Sequence, residues 1–184
     1  MWQGKFMNPD KVKQLAKAAG FCEIGELHIA DLSYDEWVRE LCEGNSCRNY
    51  NTSWACPPAV GTLKECKERC ESYEQMFLFN KVYAVKNCFD IRGMRKAMYE
   101  FKDTVEAFNR LLELPVDKRL LLSNEGCGRC ETCTWPDAPC RFPEKLCHSL
   151  EGYGFNVTEL AKKAGMKYNN GDNTVTFFGA VLLR

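Results

Sequence analysis

Histidine is nearly absent from this chain: His28 and His148 are the only two in 184 residues. A metal site built mainly on imidazole is therefore excluded, and sulfur is left as the abundant donor, which favours soft metals and clusters over magnesium or calcium. An excess of charge is lacking too, because 25 Lys and Arg stand against 25 Asp and Glu. With no basic surplus, the composition argues against nucleic acid as a partner. No apolar run approaches the ~20 residues of a bilayer-spanning helix, so no membrane partner is expected. The opening MWQGKFMNPD lacks the apolar core of a secretory signal, and the expected compartment is the cytoplasm.

What the chain has in quantity is cysteine, 12 in all. A chain this long can bury a core without staples, and in a reducing compartment the cysteines read as thiolates rather than a disulfide framework. One domain over residues 1–184 is expected, carrying cysteine loops at 42–70 and 127–147.

Residues 127–140 read CGRCETCTWPDAPC. Cys127, Cys130 and Cys133 recur at every third position, and Cys140 follows a segment containing Pro136 and Pro139. A helix would spread side chains at that spacing slowly around its surface. A tight loop entered through Gly126 and Gly128 instead lets every sulfur turn inward, which is how short loops hold an iron–sulfur cubane. Zinc sites use pairs of cysteines set well apart, and two Cys-x-x-Cys steps sharing Cys130 overlap too closely for two such knuckles, so zinc is the less favoured alternative. A thioredoxin-like redox pair at Cys127 and Cys130 fits poorly, because that motif opens a helix after a strand.

A second cysteine-bearing stretch, CEGNSCRNYNTSWACPPAVGTLKEC, spans residues 42–66. Its asparagines and the Pro57-Pro58 pair mark it as irregular, and an ordered loop of this length usually serves a purpose. Cys42, Cys47, Cys56 and Cys66 are its candidate ligands. Cys66 and Cys70 lie one helical turn apart on a stripe with Leu63 and Tyr73, where cysteine is commonly a small core residue.

Elsewhere the periodicities are ordinary. Asn8, Pro9 and Asp10 open a helix that Gly20 stops. Residues 21–29 read as extended, and Ser33 with Glu36 forms a capping box for a helix containing Trp37, Val38 and Leu41. Residues 76–85 read as a strand, residues 92–113 as a long amphipathic helix, and residues 119–123 as a buried strand leading into the Cys127 loop. Pro143 and Glu144 are expected to begin a helix carrying Leu146, Cys147 and Leu150, its dipole aimed at a negative cluster. Asn156 caps another helix ending at Gly165. The tail reads as a hairpin about Asn170 and Gly171, its second strand, 174–183, apolar on both faces and central in a sheet. The echo between VKQLAKAAG and VTELAKKAG is accounted for by generic helix chemistry ending in glycine.

Together these motifs resemble the predicted metal-binding proteins catalogued as domain of unknown function 2284. The first motif is matched by Cys42, Cys47, Tyr50, Trp54, Cys56, Pro57, Pro58, Gly61 and Cys66. The second is matched by Cys127, Cys130, Cys133, Pro136, Cys140, Arg141, Pro143, Glu144, Ser149, Glu151 and Gly154. The resemblance implies metal or iron–sulfur binding by both loops; Cys70, Cys88, Cys147 and His148 depart from the pattern.

The expected architecture is α+β, a mixed or antiparallel sheet with helices packed on it and the two cysteine loops meeting at one end. The expected function is binding of one or two [4Fe-4S] clusters, two being favoured, for intracellular electron transfer or redox chemistry, with a redox partner protein. One cluster would use Cys127, Cys130, Cys133 and Cys140, the other Cys42, Cys47, Cys56 and Cys66, with Cys140 and Cys66 open to exchange. Two alternatives stand beside it: a cluster enzyme whose open iron acts on a small molecule, and a zinc-stabilised interaction module. Tyr50, Trp54 and Trp135 are read either as shields of the clusters or as plain loop packing.

Overall fold

Asn8 turns the chain into its first helix, α1 (Pro9–Ala19), by accepting the Asp10 N–H at 2.8 Å on its side chain. Gly20 ends that helix at φ 101°, a left-handed conformation that suits glycine. The computed structural model describes residues 7–124 and 126–184, so most of the N-terminal stretch weighed as a secretory signal lies outside the described residues. The remaining elements are β1 (Glu23–Leu27), α2 (Glu36–Glu43), α3 (Leu63–Glu71), β2 (Gln75–Ala84), α4 (Ile91–Leu112), β3 (Arg119–Ser123), β4 (His148–Ser149), α5 (Val157–Lys163) and β5 (Thr174–Leu183).

The strands form one mixed sheet in the order β1-β2-β5-β3-β4, antiparallel except for the β3–β4 pair. β5 lies at its centre, as its unbroken apolar run demands: a strand hydrogen-bonded on both edges and covered on both faces has no place for polar side chains. Alternation along the strands divides the core in two. Phe77, Phe79, Val181 and Leu183 face α1 and α4, where Phe79 stacks on Phe21 at 4.2 Å and meets Phe108 edge-on at 5.5 Å. Met76, Leu78, Ala180 and Leu182 face the other way, onto Cys66 and Cys70 of α3, Tyr153, Phe155 and Leu160. Each such fully buried side chain contributes about 1.5–3 kcal/mol relative to exposure. Gly179 is required where the strands and the Phe79 ring approach: a Cβ there would stand 2.5 Å from that ring and 2.9 Å from the Leu122 carbonyl oxygen.

Three local expectations give way to tertiary contacts. The cap of α2 is Asp35 rather than Ser33, because the Asp35 N–H is held by the Gly154 carbonyl at 2.8 Å while Ser33 Oγ receives Lys163 Nζ at 3.1 Å. After Pro143 the chain makes only a single 3-10 turn, Pro143–Lys145, and then β4. The Glu144 carbonyl, which a helix would offer to the amide of residue 148, instead accepts Asn109 Nδ2 at 2.9 Å and Arg119 Nη2 at 3.2 Å. The tail hairpin is likewise absent among the described residues, since both edges of β5 are already taken by β2 and β3. No described helix is long and apolar enough to cross a membrane.

Candidate metal centre

The first cysteine loop leaves α2 at Gly44 and is wound by left-handed residues, Asn45 at φ 51°, Arg48 at 62° and Asn51 at 57°. Asparagine tolerates that conformation better than most residues. Asn45 Oδ1 accepts the Tyr50 N–H at 3.0 Å, and the Asn51 N–H donates to the Pro57 carbonyl at 2.7 Å. β4 fastens the far side, where the Ser149 N–H donates to the Ala55 carbonyl at 2.8 Å. The result brings Cys42, Cys47 and Cys56 to the wall of one cavity of about 350 Å³. Its apolar lining includes Val38, Leu41, Tyr50 and Pro57, and Ser149 and Glu151 supply polar groups. Burial pushes the Cys42 and Cys56 thiols up to about 11, and Glu151 and the neighbouring thiols act on both in the same direction.

Cys66 is placed elsewhere. α3 begins with a full capping box, Thr62 Oγ1 accepting the Glu65 N–H at 3.2 Å and Glu65 accepting the Thr62 N–H at 2.7 Å. One turn on, Cys66 is 0% exposed within the core, its sulfur 3.5 Å from the Val60 carbonyl and 3.8 Å from Arg39 Nη1. Arg39 also bridges the Gly152 and Gly61 carbonyls at 2.5 and 2.8 Å. Cys66 is not part of the cavity wall that Cys42, Cys47 and Cys56 share. Cys70 packs in the same core, and burial pushes its thiol up to about 12.

In the second loop Gly128, at φ 63°, turns the chain, and Cys127, Cys130, Cys133 and Cys140 all line one narrow cavity of about 40 Å³. Trp54, Phe142 and Leu146 complete its wall. The loop is braced internally, with Arg141 Nη1 donating to the Thr132 carbonyl and Thr134 Oγ1 to the Pro139 carbonyl, both at 2.8 Å. α4 holds it from outside. Lys102, only 6% exposed, donates to the Gly126 carbonyl and, at 3.2 Å, to that of Cys127. Arg129 donates to the Lys102 carbonyl at 2.5 Å and pairs with Asp103 at 3.0 Å. Burial raises the Cys127 thiol, opposed by the Arg129 backbone N–H and by the charges of Lys102 and Arg129. Those cations are placed to offset the negative charge of a thiolate set.

The two loops meet. Trp54 and Trp135 pack edge to face at 4.7 Å, Trp54 Nε1 donates to the Ala138 carbonyl at 3.1 Å, and Trp135 Nε1 donates to Asn51 Oδ1 at 2.8 Å. In the following segment, Cys147 shares a small separate crevice with Cys127, while Ser149 lines the first cavity. Between them His148 Nδ1 lies 2.7 Å from Tyr153 Oη, and burial lowers its imidazole to about 4, so it is neutral at pH 7. Burial raises the Cys147 thiol to about 12. Cys22 and Cys88 are exposed and line neither cysteine cavity.

Both sets were legible as cysteine spacings; the supports were not. Lys102 sits among the apolar positions of α4 with nothing in its spacing to mark it, and Ser149 and Glu151 stood in the second motif without an assigned role. Among the described residues no group of three or more His, Cys, Asp or Glu is arranged to hold a metal ion as it stands. The donor chemistry nonetheless suits one: four thiols around one cavity and three around the other are soft, anionic when deprotonated, and able to release their protons to a metal. Comparison with known proteins agrees, since a family described as predicted metal-binding protein matches residues 25–183. No curated protein and no solved structure gives a match.

Proposed function

The chain belongs to the predicted metal-binding family designated domain of unknown function 2284, and on that premise we propose that it binds two [4Fe-4S] clusters and passes single electrons to a partner protein. The observation that carries this reading is the second cavity, where Cys127, Cys130, Cys133 and Cys140 converge from one short loop. Those four would hold one cluster, and Cys42, Cys47 and Cys56 would supply three donors to the other. When bound, such clusters supply reversible one-electron chemistry.

The chain's own residues would tune that chemistry. Lys102 and Arg129 favour the thiolate form beside Cys127, and Trp54, Phe142 and Leu146 limit water at the second cavity. Trp54 of the first loop lines the second cavity and packs on Trp135 at 4.7 Å, a contact between the loops that supports electron passage between clusters held there. Neutral overall charge favours a partner recognised by local surface features rather than a polyanion.

The test is iron and acid-labile sulfide in protein prepared without oxygen, comparing the parent chain with Cys130→Ser and Cys56→Ser. Each variant is expected to lose up to about four of about eight irons. Zinc at about one per loop without sulfide would contradict the proposal.

A further inference from the structure

We infer that Glu151, not Cys66, is the fourth donor of the first cavity, and that this position is open to exchange by a small soft ligand. The inference rests on the two-cluster reading and specifies how one of its sites is completed. Glu151 lines the cavity together with Cys42, Cys47 and Cys56. Its backbone is fixed: it opens the 3-10 turn Glu151–Tyr153, in which Ser149 Oγ accepts the Gly152 N–H at 2.9 Å, and the preceding Leu150 N–H is held by the Ser123 carbonyl at 3.1 Å. A residue with a carboxylate thus joins three cysteines in one cavity wall, carried by a segment of fixed backbone.

Cys66 has the opposite setting. Its sulfur is enclosed in the core beneath Arg39, whose guanidinium bridges the Gly61 and Gly152 carbonyls. For Cys66 to enter the cavity, its sulfur would have to leave the core and its contacts with Arg39 and the Val60 carbonyl. The Gly152 carbonyl lies 3.9 Å from the Cys66 sulfur, whereas the residue before it, Glu151, lines the cavity, so the turn itself separates the two candidates.

An oxygen donor is harder than thiolate and binds iron already carrying soft ligands less firmly, which makes it the member of the set that exchanges. The cavity has room for a small molecule, about 350 Å³, with apolar walls from Val38, Leu41 and Tyr50. Its chemistry selects a compact ligand with one soft donor and an apolar body, such as a small thiol. The second loop also borders an open pocket, of about 280 Å³ at Cys127, Cys130 and Cys133, but its four thiols already complete a donor set and leave no position for exchange.

The experiment uses the full chain, prepared and reduced without oxygen, with iron analysis and electron paramagnetic resonance before and after addition of cyanide or ethanethiol. In the parent protein each probe is expected to shift one of two cluster signals. Cys66→Ala is expected to keep its iron and the shift; Glu151→Cys is expected to keep its iron and lose the shift. Cys66→Ala that is folded by circular dichroism but lacks about four irons would overturn the inference, as would a shift that survives in Glu151→Cys or one missing from the parent. If Cys66→Ala does not fold, the Glu151→Cys comparison decides alone. Parent protein without iron or sulfide removes the two-cluster reading as well, whereas iron lost only in folded Cys66→Ala removes this inference alone.

Discussion

The two cysteine loops use similar residues to build different surroundings. The second gathers four thiols at a narrow cavity, three of them also bordering an open pocket of about 280 Å³, and is braced by Lys102 of the long helix α4 and by its own Arg129, which reaches back to that helix. The first holds three thiols at the wall of a cavity almost nine times larger, about 350 against about 40 Å³, shaped by left-handed Asn45, Arg48 and Asn51. A closed donor set suits a group that only changes charge, whereas an incomplete one suits a group that also binds something, the distinction that separates structural from catalytic metal sites. On the proposed reading, the loop with four thiols would be the carrier and the loop with three the reactive site.

The largest expected effect follows from that difference in donor number, three thiols against four. Under an iron chelator without oxygen, the first loop is expected to lose its iron on the order of tenfold to a hundredfold faster than the second, giving two phases in absorbance; a single phase would erase the contrast. Next in size is a pH effect at His148, buried between Cys147 and Ser149. His148 is held at about 4 against an ordinary 6.5, so between those values the unfolded chain binds a proton that the folded chain refuses. Stability from this group is intact above pH 6.5 and is lost as pH falls toward 4, by about 3 kcal/mol in total. His148→Gln is expected to flatten that part of the profile in urea unfolding, and an unchanged difference across the window would remove the assignment. Smallest is Lys102→Met, which keeps the buried stem but withdraws the ammonium group from the Gly126 and Cys127 carbonyls. It is expected to cost about 2 kcal/mol of stability and to hasten iron loss from the second loop only, both measurable in the same chelation and urea assays.

Much of this fold was legible in the sequence because its strongest patterns are local. The apolar stripe of α4 placed that helix within a residue of its observed ends, and the residues of β3 and β5 were read as buried strands from their unbroken apolar runs. The failures are places where distant residues decided. The helix expected after Pro143 lost the Glu144 carbonyl to Asn109 and Arg119, and the tail hairpin lost its strand partner because β2 and β3 occupy both edges of β5. The candidate sites divide the same way. Thiol spacing announced the second loop in full, because all four sulfurs come from one short segment. It could not show that Cys66, on the regular helix α3, turns into the core while Glu151, 85 positions further on, joins the cavity.

The central claim is that both loops bind inorganic iron and sulfide, and the most direct measurement is the metal and acid-labile sulfide content of the parent chain isolated without oxygen. The account predicts about eight irons and about eight sulfides per chain. Zinc without sulfide, or disulfides among Cys127, Cys130, Cys133 and Cys140 in protein never exposed to air, would contradict it.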